Sequence, residues 1–220
     1  MKKTLTVHLW PGPTPMADDG LFAILVDTSA ARAPAVAPSS KASAAQRNSP
    51  RPNLAAPAPG AQRDAARLAL RQAAREALAA VLGVTVESIA VVSKPGTPPS
   101  ILLADRMHSI GCSFTHDDNY ALAAINLRGH IGADIMRVQD IADWQTVARD
   151  YLGPGIASQL RAAEDRPLAF AQAWTQREAA LKCHAQQISE WRADIPGQAI
   201  ELALPVEGLV GHLHIGDKYA

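Results

Sequence analysis

Residues 174–182 read WTQREAALK, and residues 130–136 read HIGADIM. In the first stretch Trp174, Glu178 and Lys182 recur every fourth position, a spacing that stacks side chains on one helix face a turn apart. In the second, Asp134 lies in an apolar run, residues 131–135, that follows another at residues 121–125; both runs read as strands. A strand aspartate thus stands 44 positions before a helix glutamate (178 − 134). Such a pair can hold a hard divalent cation, which prefers carboxylate oxygens and keeps several waters. A lysine one helical turn on can neutralise a phosphate, which completes the parts that phosphoryl-type transfer requires. Taken singly, each part has a plainer explanation. Glu178 and Lys182 also fit an ordinary surface ion pair, and Asp134 fits a strand-end turn.

Working outward, residues 4–10 alternate as a first strand and residues 21–26 as a second. Residues 28–62 hold 12 Ala, 6 Pro and 5 Ser in 35 positions, too little apolar surface to offset ordering entropy, and read as a flexible loop without chemistry. A helix is expected from Asp64 to about Leu82, stopped by Gly83. Arg63, Arg67, Arg71 and Arg75 form a basic stripe along it, either a solvated face or a set of planar forks for phosphate. Residues 86–93 read as a strand entering the Lys94-Pro95-Gly96 turn, with further apolar segments at 100–103 and 113–126. Helices are expected near 142–151 and 156–163, and a longer one over 168–187 carries the motif. Residues 201–204 and 209–215 form a hairpin across Val206-Glu207-Gly208. His212 and His214 share one face of its second strand, expected to be exposed and polar, with a metal pair as the alternative. Both halves are strands plus one long helix, which is α+β rather than alternating βαβ.

Composition narrows the function classes. A chain of 220 residues with 48% hydrophobic and 19% charged residues is globular and can bury a substantial core. Net charge is zero, but residues 1–110 carry 12 Lys+Arg against 7 Asp+Glu, and residues 111–220 carry 9 against 14. A basic half can meet an anion and an acidic half a metal, while the bias is too mild for a nucleic-acid binder. Cys112 and Cys183 show no metal-ligand spacing and read as free thiols of a reducing compartment. The opening MKKTLTVHLWPGP has an apolar stretch cut short by Pro11-Gly12-Pro13, so no secretory leader is expected. No run reaches membrane-spanning length. A cytoplasmic protein is expected.

IGADIM followed by WTQREAALK resembles the paired signatures of the 4′-phosphopantetheinyl transferases of the surfactin-synthetase type. Three more stretches resemble the family in order: RLALRQAAREALAAVLG (residues 67–83), SKPGTPP with Lys94, and SFTHDDNYALAAI with Thr115 and His116. The resemblance covers about residues 63–195. It implies two similar subdomains related by a pseudo-twofold, each a small antiparallel sheet packed with a long helix, divided near Arg128 into residues 1–128 and 129–220. It implies transfer of the phosphopantetheine arm of coenzyme A to a serine of an acyl or peptidyl carrier protein by a monomeric enzyme. Mg²⁺, with Mn²⁺ as the alternative, would sit on Asp134 and Glu178. Glu178 would act as base, and Lys182 would hold the pyrophosphate or assist. Lys94, Thr115, His116 and Arg67 (or Arg71) would contact coenzyme A, and residues 150–165 would form part of the carrier surface.

Two positions depart from the family pattern. Met136 stands where many members have glutamate, on the same strand face as Asp134, and a thioether is a poor partner for Mg²⁺. Thr115 replaces a serine and keeps its hydroxyl. Two other classes stay open: a silent homologue that binds coenzyme A or carrier without transfer, and an unrelated phosphohydrolase or interaction domain with coincidental motifs.

Overall fold

The structure, a computed structural model, describes residues 3–17, 19–29, 59–94 and 97–216. Most of the Ala/Pro-rich segment (30–58) and the Pro95-Gly96 part of the expected turn lie outside the described residues. Strands β1 (Thr4–Thr6), β2 (His8–Leu9) and β3 (Leu21–Asp27) precede helix α1 (Pro59–Leu82). Then come β4 (Ile89–Val92), β5 (Ser100–Leu103), β6 (Arg106–Asp117), β7 (Tyr120–Asn126) and β8 (Ile131–Arg137). Helix α2 (Trp144–Val147) runs into a wider turn at Ala148–Leu152, followed by α3 (Pro154–Ala162), α4 (Arg166–Cys183), β9 (Gln198–Ala203) and β10 (Leu209–Ile215). Among the described residues no helix is long and apolar enough to cross a membrane.

The strands form two sheets, β2-β3-β7-β6-β5-β4 and β1-β9-β10-β8. The expectation of purely antiparallel sheets is corrected: β2 runs parallel to β3 and β1 parallel to β9. One continuous strand over residues 4–10 is corrected too. The chain passes from one sheet to the other at Val7, a buried residue whose N–H donates to the Ala203 carbonyl (3.1 Å). Helix α1 starts at Pro59 rather than Asp64 and ends as expected at Gly83, with φ +67°. The single segment expected at 113–126 is the end of β6 and all of β7, folded back at Asp118-Asn119 with Asp118 at φ +48°, a conformation Asp tolerates better than most residues.

Alternation along the strands explains the layering. On β3 and β7, Phe22, Ile24, Ala123 and Ile125 pack against Leu70, Ala74 and Leu78 of α1. Their other face, Leu21, Leu25, Leu122 and Ala124, packs against Ile131, Ala133, Ile200 and Leu213 of the second sheet. The order of layers is therefore α1, six-stranded sheet, four-stranded sheet, α4. The protein is α+β, as its sequence pattern indicates. Residue 128 lies in the connection between β7 and β8, where the chain moves from the first sheet to the second.

Candidate functional site

β8 is the edge strand of the four-stranded sheet, and its side chains divide between two environments. Ile131, Ala133 and Ile135 enter the inter-sheet core, which leaves Gly132, Asp134 and Met136 on the opposite face, toward α4. A Cβ on Gly132 would stand 1.9 Å from the Ala179 carbonyl oxygen and 2.4 Å from the Cys183 nitrogen. Only glycine lets the helix lie this close to the strand. The helix is placed at its start by Asp165, whose carboxylate accepts from the Leu168 N–H (3.0 Å), with Pro167 in the first turn. Midway, buried Thr175 is within 2.8 Å of His212 Nδ1 on β10.

This packing brings the strand acid and the helix motif together. Lys182 Nζ donates to Asp134 Oδ1 at 2.6 Å, and Thr115 Oγ1 on β6 donates to the same oxygen at 2.8 Å. Lys182 therefore reaches across to the strand, and no ion pair joins it to Glu178 among the described residues. Burial holds the Asp134 carboxyl above its ordinary value; Lys182 and Thr115 pull it back and Asp117 adds to the rise. Glu178 is half-buried and its carboxyl is also raised, first by burial and next by the charge of Asp134. The two acids thus sit in one electrostatic environment, beside a cation that stabilises the ionised aspartate.

Asp134 Oδ1 is occupied twice, whereas Oδ2 accepts no hydrogen bond from the described residues. A carboxylate oxygen left available beside a second carboxylate suits a hard cation that retains waters, so the donor set fits Mg²⁺ or Mn²⁺. Among the described residues no group of three or more His, Cys, Asp or Glu is arranged to hold a metal. Met136 is half-buried and packs with the α2–α3 cluster beside Trp144 and Phe170.

The anion-facing candidates line adjoining cavities. Arg67, Arg71, Thr115 and His116 share one of about 260 Å³ with Leu70 and Phe114. Thr115 borders this cavity, while its hydroxyl turns to the other face of β6 and bonds Asp134. Phe114 also walls a second cavity, of about 240 Å³, which Lys182 and Thr97 line. Lys94 is exposed and lies beyond Thr97–Pro99, in a third of about 670 Å³. The arginine stripe divides as well. Arg75 binds the carbonyls of Ile89 (2.7 Å) and Val86 (3.0 Å) and fixes α1 to the approach of β4; among the described residues Arg67 carries only an exposed pairing with Asp64 (3.6 Å). The side chain of Arg63 lies outside the described residues.

Two sequence readings need correction. His212 and His214 are buried rather than on an exposed polar face. That face is covered by α4 and by residues 184–197, where the Pro196 carbonyl meets His214 Nε2 at 3.1 Å. Asp117, which the sequence reading passed over, lies on the same strand face as Ser113 and Thr115. All three bond β8, at the Ala133 N–H, the Asp134 carboxylate and the Arg137 N–H. Its place two residues after Thr115 was the available signal. No family model and no curated protein matches this chain.

Proposed function

We propose that the protein transfers the 4′-phosphopantetheine arm of coenzyme A to a serine of an acyl or peptidyl carrier protein, releasing adenosine 3′,5′-bisphosphate. The observation that carries this reading is the junction of Asp134, Glu178 and Lys182, with Thr115, which bonds Asp134, also bordering a cavity lined by Arg67, Arg71 and His116. Two guanidinium groups and an imidazole beside apolar walls suit the phosphates and base of a nucleotide. Glu178 accepts the proton of the incoming serine; a raised carboxyl is the better base near neutral pH. The serine oxygen forms a bond to the β-phosphorus as the bond to the bridging oxygen breaks, and the electron pair leaves with the nucleotide. Lys182 holds the pyrophosphate against Asp134. A bound Mg²⁺ or Mn²⁺, held by Asp134 and Glu178, would neutralise pyrophosphate charge.

The two halves are proposed to be a repeated unit related by a pseudo-twofold. In support, each sheet is largely antiparallel with one parallel edge pair and carries one long helix, α1 or α4, on its outer face, β1 crossing from the first half to supply the edge of the second sheet. The carrier is proposed to dock near residues 150–165, where α3 presents Ser158, Gln159 and Arg161 to solvent. A second reading, a homologue that binds coenzyme A without transfer, is favoured by Met136, which leaves the metal two carboxylates. Incubation with coenzyme A, Mg²⁺ and a panel of apo carriers, read by intact mass, separates the readings. Transfer predicts a gain of one phosphopantetheine on at least one carrier, abolished by chelator. Coenzyme A binding by calorimetry with no carrier modified would support the silent reading, and no coenzyme A binding would sink both.

A further inference from the structure

As the edge of its sheet, β8 has no ladder partner along its outer side, and a buried N–H there needs an acceptor from elsewhere. β6 belongs to the other sheet, yet its residues 111, 113, 115 and 117, which share one strand face, meet the chain along 129–137. Gly111 makes the room. A Cβ there would stand 2.0 Å from the Gly129 carbonyl oxygen and 3.1 Å from the Ile131 nitrogen. Next, Ser113 Oγ accepts from the Ala133 N–H at 3.0 Å, and the Asp117 carboxylate accepts from the Arg137 N–H. Both contacts join residues 20 apart. The two strands therefore run side by side in one direction, with side chains standing in for a backbone ladder. Between these two acceptors Thr115 has the opposite polarity, donating to Asp134 Oδ1 at 2.8 Å.

Asp134 is thus bracketed by the two capped N–H groups, one residue before it and three after. Ser113 and Ala133 are buried, so water is a poor substitute for the serine hydroxyl. The far end is pinned further, since Arg137 Nη1 donates to the Glu207 carbonyl (3.1 Å) and the Val138 N–H to the Gly208 carbonyl (2.8 Å). A slide of β8 along β6 would part the Asp134 carboxylate from Thr115 and from Lys182, which meet it from two different elements.

We propose, on the metal-dependent reading above, that Ser113 and Asp117 are positioning residues for Asp134. By accepting the two N–H groups that flank it, they fix β8 against β6 and hold the carboxylate where Thr115 and Lys182 meet it and a metal ion reaches it. Neither touches the reacting atoms. What each supplies is an acceptor oxygen, a hydroxyl at one end of the bracket and a carboxylate at the other.

The test uses the full chain with Mn²⁺ as the probe, its affinity read from the free-ion electron paramagnetic resonance signal well below the melting transition. The parent should bind, and Asp134→Ala should not. Ser113→Ala and Asp117→Ala should each weaken binding about tenfold or more, the usual effect of removing a partner behind a metal ligand. Asp117→Asn, whose amide oxygen still accepts, should stay within about threefold of the parent. In ¹⁵N-labelled protein the Ala133 and Arg137 amides should exchange slowly with solvent. Ser113→Ala should speed the first and Asp117→Ala the second, about tenfold or more. Parent-like affinity in both alanine variants, beside a loss in Asp134→Ala, would overturn the positioning role and leave the metal site standing. An equal loss in Asp117→Ala and Asp117→Asn would mean that charge rather than placement acts, and would overturn it too. Mn²⁺ binding absent from the parent, or unchanged by Asp134→Ala, would sink the metal-dependent reading and the positioning role with it. Should an alanine variant fail to fold, exchange in the parent decides: unprotected Ala133 and Arg137 amides would show that β6 does not hold β8.

Discussion

At the scale of single residues, the site carries a stability cost whose sign can be worked out. Glu178 is raised in the folded protein, mainly by burial and then by Asp134. Below the ordinary glutamate range the carboxyl is protonated in both states and the cost vanishes. As pH rises through the raised value, stability is lost, because the unfolded chain ionises more easily. Glu178→Gln should therefore melt higher than the parent at neutral pH, with the difference closing toward pH about 4, measured with chelator present. Mg²⁺ should raise the parent's midpoint and leave that of Glu178→Gln unchanged, since a ligand stabilises only the state that binds it. Equal midpoints at neutral pH would show that the glutamate is solvated. Lys182→Met tests the other side. Lys182 pulls the Asp134 carboxyl down, so its loss should move the onset of Mg²⁺ protection to higher pH; an unmoved onset would count against this pairing.

At the scale of elements, the site depends on how closely α4 approaches β8. Gly132→Ala would drive a methyl into the backbone of Ala179 and Cys183, atoms that cannot rotate away. We expect a loss of about 1–3 kcal/mol, the usual cost of overpacking, and a fall in metal affinity, because α4 carries Glu178. Gly155→Ala in α3 is the control: its Cβ meets nothing within 4 Å, and it should be neutral or stabilise by up to about 1 kcal/mol. Equal denaturation midpoints for the two variants would contradict the close packing. The helix itself was legible in the sequence, because four-residue spacing is a local signal, although it runs over Arg166–Cys183 rather than 168–187, since the Asp165 cap that starts it was not read. What covers each face was not. Alternation placed His212 and His214 together but could not show that Thr175 and Pro196 lie over them. The same spacing suggested a Glu178–Lys182 pair, while the fold supplied a partner on another strand. The split of residues 4–10 between two sheets has no local signature, since both pieces alternate alike.

At the scale of the whole molecule, the inter-sheet core decides whether the halves are separable. Leu25, Leu122, Ile200 and Leu213 are fully buried there, and each such side chain contributes about 1.5–3 kcal/mol by leaving water. β1 adds a second tie, since Thr4, Leu5 and Thr6 register with Glu201, Leu202 and Ala203. The hydroxyls of Ser113 and Thr115 add a third, on β8. A fragment of residues 129–220 keeps Asp134, Glu178 and Lys182 but loses all three. It should therefore show no cooperative melt and no Mg²⁺-dependent stabilisation. The intact chain should unfold in one transition, coincident by near- and far-ultraviolet circular dichroism. Leu25→Ala should shift that single transition by about 2–5 kcal/mol, the range for a buried leucine whose cavity does not collapse. Two separate transitions, or a fragment that melts cooperatively alone, would mean that each half is a self-sufficient domain. A cooperative whole instead means that Asp134, on β8, and Thr115, on β6, keep their places only while the two sheets stay packed, so that the site exists only in the complete fold.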